Sequence, residues 1–146
     1  MARYTWLLDP GHGGLIDGRY QTAGKRHRVS KANLFHKENR NSVYVSVHSN
    51  AFGNGREFNS AKGVCTFHHY KSKTGKKLAD SLQRWLGDLT PLYSRGVRSN
   101  DSWANFYVLR KTHMPAVLSE NGFMTNFDDA TALLDPEVRQ AIANAQ

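Results

Sequence analysis

Three segments carry side chains whose chemistry could be joined. They are Leu7-Leu8-Asp9-Pro10-Gly11-His12-Gly13-Gly14, Val43-Tyr44-Val45-Ser46-Val47-His48-Ser49-Asn50-Ala51 and Pro115-Ala116-Val117-Leu118-Ser119-Glu120-Asn121-Gly122-Phe123. In each, a short apolar run ends and a histidine or carboxylate follows at once. Strands that end this way in an open α/β sheet deliver such side chains to the carboxyl edge, where these folds bind ligands. A neutral imidazole is a good zinc ligand, and zinc takes about four donors in a tetrahedral array. His12 and His48 could give two donors and water a third; a carboxylate should be the fourth. Glu38 is the only Glu between the histidines, but it ends a helix feeding the wrong end of the His48 strand, and Asp17 lies in a glycine-rich loop. Glu120 leaves a buried strand. Burial raises a carboxyl pKa and a nearby zinc lowers it, so a group poised between the two can take a proton from water and return it to a leaving amine. The chemistry implied is metal-assisted hydrolysis of a polar substrate. Asn50 could hydrogen-bond a substrate amide or cap its own loop.

The elements that must position these groups follow from periodicity. Residues 4–8, 43–47, 63–70, 106–110 and 116–119 read as strands, rich in β-branched and aromatic residues. Residues 29–38 have a fair helical pattern, and 74–89 a clear one, with Leu78, Leu82, Trp85, Leu86 and Leu89 at three- and four-residue steps and Pro91 barring extension. Residues 11–24 and 51–61 are glycine-rich and read as loops, and 128–134 and 136–145 as a closing helical region. Strands alternating with helices predict a single α/β domain, a mostly parallel twisted sheet flanked by helices, with the active site at the carboxyl edge.

The chain has 146 residues, 39% of them hydrophobic, enough for one domain with a sizeable core. Its mean hydropathy of −0.62 argues for solubility. Neither a signal peptide nor a bilayer-spanning stretch is visible. One cysteine, Cys65, excludes an internal disulfide and a cysteine metal cluster, and its apolar setting reads as core. The formal net charge of +8 attracts polyanions, whether nucleic acid, membrane surfaces or anionic wall polymers.

Taken in order, these segments resemble the zinc-dependent N-acetylmuramoyl-L-alanine amidases of bacterial autolysins and phage endolysins, the type 3 amidases. That family opens on a strand and Asp-Pro-Gly-His-Gly-Gly, matched at Asp9 to Gly14. It carries Ser-(Ile/Val)-His-x-Asn-Ala, matched at Ser46 to Ala51, and Glu-x-Gly-Phe-(small)-(small)-Asn, matched at Glu120 to Asn126. Gly63-Val64-Cys65-Thr66 stands where the family has Gly-Val-Glu-Thr, with Cys65 in place of the acid. Arg28-Val29-Ser30-Lys31-Ala32-Asn33 matches its Arg-x-x-x-Ala-Asn helix. The resemblance implies Zn2+ held by His12 and His48, with Glu120 as the catalytic residue. It also implies peptidoglycan as partner, cleaved between N-acetylmuramic acid and the L-alanine of the stem peptide by zinc-activated water. A further family ligand, a glutamate on the helix after the first strand, has no match here. The interval before Val29 also lacks that helix and a strand, which predicts a missing segment near residues 25–29 in an otherwise continuous 1–146 catalytic domain.

Two other classes stay open on the sequence: a catalytically inactive wall-binding domain of the same fold, and a basic nucleic-acid-binding domain. Against the latter, the aromatics lie mostly in core-like runs and no nucleic-acid motif is present. The expected molecule is a monomer with no nucleic-acid partner and no membrane insertion. It would be made in a host cytoplasm and act on the wall as an endolysin, or be secreted if processed.

Overall fold

The structure is a computed structural model and describes residues 4–11, 14–16, 19–21, 24–100 and 105–146. Five strands form one sheet: β1 (Thr5–Asp9), β4 (Ser42–Asn50), β5 (Val64–His69), β6 (Ser94–Asn100) and β7 (Ala116–Phe123). Two short strands, β2 (Gly14–Ile16) and β3 (Arg19–Gln21), make a separate antiparallel hairpin between β1 and the first helix. The helices are α1 (Lys25–Glu38), α2 (Lys73–Leu89), α3 (Tyr107–Lys111), α4 (Phe127–Leu134) and α5 (Pro136–Ala145).

The strand order is β1-β4-β7-β5-β6. β1, β4 and β7 are parallel; β5 is antiparallel to β7 and parallel to β6. The carboxyl ends of the first three strands therefore share an edge with the amino ends of the other two. The central strands explain themselves locally. Ser42-Val-Tyr-Val-Ser-Val47 is β-branched or aromatic at most positions and is buried on both faces, as strands between two helical layers must be. Side chains alternate across the sheet, so Tyr44 and Val45 enter different cores. Tyr44, Cys65, Phe67 and Leu118 pack against Val29 and Ala32 of α1 and Val108 and Leu109 of α3. Val45, Val64 and Val117 pack against Ala79, Leu82 and Leu86 of α2 and Val138 and Ile142 of α5. Ser72 caps α2 by accepting from Gly75 N at 2.9 Å.

The mostly parallel α/β sheet matches the sequence expectation, with corrections. Residues 106–110 are not a strand: Leu109 N and Arg110 N both donate to Phe106 O, closing the single turn of α3, and Thr112 Oγ1 donates to Val108 O. The adjacent Val108 and Leu109 are both buried, which a strand flanked by solvent would not allow. The fifth strand is instead β6, whose Ser-Arg-Gly-Val-Arg-Ser-Asn sequence shows little apolar pattern because it is an edge strand. Residues 11–24, expected as loop, hold the β2–β3 hairpin. Apart from these corrections, the segment from Lys25 to Val29, near which the sequence suggests missing residues, forms the opening of α1. His27 N and Arg28 N both donate to Gly24 O, at 2.8 and 3.2 Å, and the helix runs unbroken to Glu38. The helix thus starts four residues before the 29–38 read from the sequence. Lys25-Arg-His-Arg carries no apolar residue to mark those turns, and α1 has no side-chain N-cap.

Candidate active site

The register of β4 on β7 places His48 directly opposite Glu120. Paired residues of neighbouring strands project from the same face, and Cys65 of β5 is opposite Glu120 on the other side. Asp9 is opposite Ser46 in the β1–β4 pair. The alternation that sends Leu7, Tyr44 and Leu118 toward α1 and α3 sends Asp9, Ser46, His48 and Glu120 to the same face, one step nearer the carboxyl edge. His48 and Glu120 line a cavity of about 550 Å³, roofed by Gly24, Lys25 and Arg28 from α1 and Phe106 and Tyr107 from α3.

Asp9 lies behind this cavity and holds its wall residue Arg28. It is 5% exposed. Its carboxylate accepts from the hydroxyls of Tyr44 and Ser46 and from Gly11 N, and Arg28 Nε lies 3.0 Å from it. Burial, and then this carboxylate, push the Tyr44 hydroxyl well above the usual tyrosine range. Ser46 has one hydroxyl proton and gives it to Asp9 at 2.7 Å, so it must accept from His48 Nε2, 3.0 Å away. That fixes the tautomer: Nε2 carries the proton and the lone pair of a neutral His48 ring is on Nδ1.

Glu120 is 8% exposed, and its Oε2 is buried with no hydrogen-bond partner among the described residues. Burial pushes its carboxyl up to about 7. Burial also raises the Cys65 thiol to about 11, with the Glu120 charge adding to the effect, so Cys65 is an inert core residue. β7 carries one extra residue past this point, since His48 pairs with Glu120 but Asn50 with Phe123. Gly122 takes φ +93 at this bulge. Asn121 braces it by donating to His48 O at 3.0 Å and to Ser119 Oγ at 3.2 Å.

His12, the other expected ligand, lies outside the described residues, as does Asp17. Gly11 is described. It has φ +78, and a Cβ there would sit 3.0 Å from Val47 O and 3.1 Å from His48 Cε1. Only glycine lets the backbone just before His12 lie against the His48 ring. Glu38 belongs to the opposite edge. Near the end of α1, His36 Nδ1 bonds Ser42 Oγ at the amino end of β4, 2.7 Å away. Asn50 uses its side-chain oxygen to accept from Ala51 N at 2.8 Å, a loop-capping contact. Among the described residues no three His, Cys, Asp or Glu side chains gather into a metal cage. Sequence reasoning gave Asp9, Arg28 and Ser46 no role in the site, although each opens one of the family motifs matched above, and Asp9 and Ser46 lie three and two residues before an expected ligand.

Fold and site together define a single α/β domain with a histidine and a buried carboxylate side by side at the carboxyl edge of its parallel strands. The chain belongs to the N-acetylmuramoyl-L-alanine amidase family Amidase_3, which it matches over residues 20–146. It is 31% identical over 188 aligned positions to an uncharacterized cell wall amidase of Bacillus anthracis, covering 97% of this chain and 34% of the relative. That alignment is longer than the 146 residues of this chain, so the relative carries tens of residues that this chain lacks. The chain spans 34% to 55% of the length of the curated relatives considered. Its fold superposes on an N-acetylmuramoyl-L-alanine amidase from Clostridium difficile 630 with a TM-score of 0.78, at 24% identity over 97% of this chain and 91% of that one. It also superposes on the catalytic domain of the N-acetylmuramoyl-L-alanine amidase CwlV from Bacillus (Paenibacillus) polymyxa, with TM-score 0.68 at 27% identity over 88% of this chain and 66% of that one. The family match gives the nucleic-acid reading of the charge no support. No helix among the described residues is long and apolar enough to cross a membrane.

Proposed function

We propose that this chain hydrolyses the amide joining the lactyl group of N-acetylmuramic acid to the L-alanine of the stem peptide. The observation that carries the reading is the buried Glu120 carboxylate opposite His48 in the sheet, its Oε2 without a hydrogen-bond partner among the described residues and its carboxyl raised by burial to about 7 in the metal-free chain. Such a group holds or releases a proton near neutral pH, as a general acid–base must.

The residues fit a zinc ion. His48 has its lone pair on Nδ1 by the Asp9–Ser46 relay, Gly11 lies against the His48 ring, and Glu120 offers an oxygen with no partner among the described residues. His12 and His48 would hold the metal. When bound, zinc supplies a Lewis acid for the scissile carbonyl and lowers the pKa of water. Glu120 takes the proton from the attacking water and passes it to the departing alanine nitrogen. Lys25, Arg28 and Tyr107 at the cavity wall orient the polar substrate. Asn50, its oxygen already used on Ala51 N, contributes its amide donor. The setting is the catalytic domain of an autolysin or a phage endolysin, working as a monomer on peptidoglycan.

The test is release of free alanine amino groups from purified peptidoglycan by the zinc-loaded protein. Glu120→Gln is expected to keep the fold and bind one zinc per chain while turnover drops by about 10²–10⁴. Near-normal turnover would reassign Glu120 to a structural role. A wild-type chain that binds walls but holds no zinc would make this an inactive wall-binding domain.

A further inference from the structure

The positive charge of this chain is not spread evenly. Helices α1 and α3, which cover one face of the sheet, hold seven Lys and Arg against Glu38 alone, and Arg40 follows directly. Helices α2, α4 and α5, which lie outside that layer, hold five Lys and Arg against five Asp and Glu. The basic layer also has a shape. A groove of about 660 Å³ lies between α1 and the segment around α3, with Arg26, His36, Lys37, Arg40, Lys111 and His113 along its walls.

Two features make this groove more than a solvated helix face. Its walls are tied together: Asn33 of α1 donates to Lys111 O at 2.8 Å and accepts from His113 N at 2.9 Å. And its cations are uncommitted. Among the described residues the ion pairs are Arg28–Asp9 and Lys76–Asp80, and Arg26, Lys37, Arg40 and Lys111 take part in neither. Four unneutralised cations held along one groove repel one another, a cost that a bound polyanion relieves. The groove also leads to the catalytic cavity, since Tyr107 lines both and Arg26 adjoins Lys25 of the cavity wall. From Arg26 to Lys37, α1 rises about 16 Å, enough for several phosphodiester repeats.

We infer that the α1–α3 groove binds a linear polyol-phosphate chain of the cell wall and so holds the catalytic cavity beside its substrate. The assignment rests on the wall-directed reading above. Arginine forks and histidine N–H groups suit phosphate oxygens. A nucleic acid would present the same phosphates but gains from stacking its bases, and the groove offers one tyrosine and no tryptophan or phenylalanine.

The probe is synthetic poly(glycerol phosphate), titrated against the wild-type chain and two double charge reversals of equal net effect. Lys37→Glu with Arg40→Glu alters the groove; Lys73→Glu with Lys77→Glu alters exposed positions on α2. Wild-type binding is expected to weaken with salt with a log–log slope of about −3, as four released counterions give on a flexible polyanion. The groove variant is expected to bind at least tenfold more weakly and the α2 variant within twofold of wild type. Arg26→Glu with Lys111→Glu, at other points of the groove, should repeat the groove result and guards against a local folding defect. Equal losses on both faces would overturn the inference in favour of non-specific attraction, and tighter binding of single-stranded DNA of matched charge would replace it with a nucleic-acid site. Hydrolysis of polymer-free peptidoglycan should be unchanged in the groove variants. Loss of that activity in the wild type would sink the amidase reading while leaving the binding result standing.

Discussion

In the proposed mechanism Glu120 is subject to two opposed demands. A proton carrier needs a pKa near the working pH, and a buried carboxylate without a partner is costly to ionise. The cost has a measurable consequence for the metal-free chain. Its carboxyl moves from the ordinary 4.5 in the unfolded chain to about 7 in the folded one, so the folded state binds the proton more tightly. The native state is therefore favoured below pH 4.5, and that advantage is lost as pH rises through about 7. The shift corresponds to roughly 3 kcal/mol. Glu120→Gln, which has no charge to bury, is expected to be more stable than wild type at pH 8 by up to that amount and to come within about 1 kcal/mol of it at pH 5. Denaturant midpoints at the two pH values, with chelator present, check this; an equal difference at both would mean the shift is not expressed. At this scale the burial of Glu120 was legible, because the apolar run before it announced it. The missing hydrogen bond was not legible, because it depends on what the neighbouring strands fail to offer.

At the scale of elements, the site is a problem of docking α1 onto β1 and β4. Asp9 solves it by joining the three: Arg28 comes from α1, Ser46 and Tyr44 from β4, and the carboxylate from the end of β1. Asp9→Asn removes the charge that Arg28 faces and offers Ser46 a different partner. Breaking a largely buried ion pair from one side costs about 3 kcal/mol. In the proposed zinc site, a disturbed relay behind His48 is expected to cost about 10–100-fold in metal affinity. Both losses are expected together, read as a lower denaturation midpoint and a weaker zinc titration; a stability change below about 1 kcal/mol would show that α1 is held by its core contacts alone. None of these partners is near Asp9 in sequence. They meet only through the β1–β4 register and the placement of α1, which periodicity does not encode. The same limit explains β6 and α3. Ser94–Asn100 is polar because it is an edge, and 106–110 is apolar because it is a short buried turn, so composition pointed the strand assignment to the wrong one of the two.

Across the whole molecule, the sheet separates two cores with different duties. The α2–α5 side is built of aliphatic residues packed on Val45, Val64 and Val117, and the site is on the other face. The α1–α3 side is interrupted toward the carboxyl edge by the cavity at His48 and Glu120, whose wall includes Leu118. Equivalent deletions on the two faces should therefore behave differently. Leu86 is fully buried in the α2 core, and Leu86→Ala is expected to cost about 2–5 kcal/mol while leaving zinc affinity and turnover per folded molecule unchanged. Leu118 is 2% exposed and in contact with the cavity, so Leu118→Ala leaves a void that opens into the site. Its stability cost should be at the lower end of the same range, because the cavity can admit water. The water also relieves the desolvation that holds Glu120 near 7, so the carboxyl should fall toward its ordinary value and the pH 8 against pH 5 stability difference should shrink. Measuring that difference in both variants separates the two faces. If Leu86→Ala shrank it as much as Leu118→Ala, the two cores would be one mechanical unit and the division of labour across the sheet would not hold.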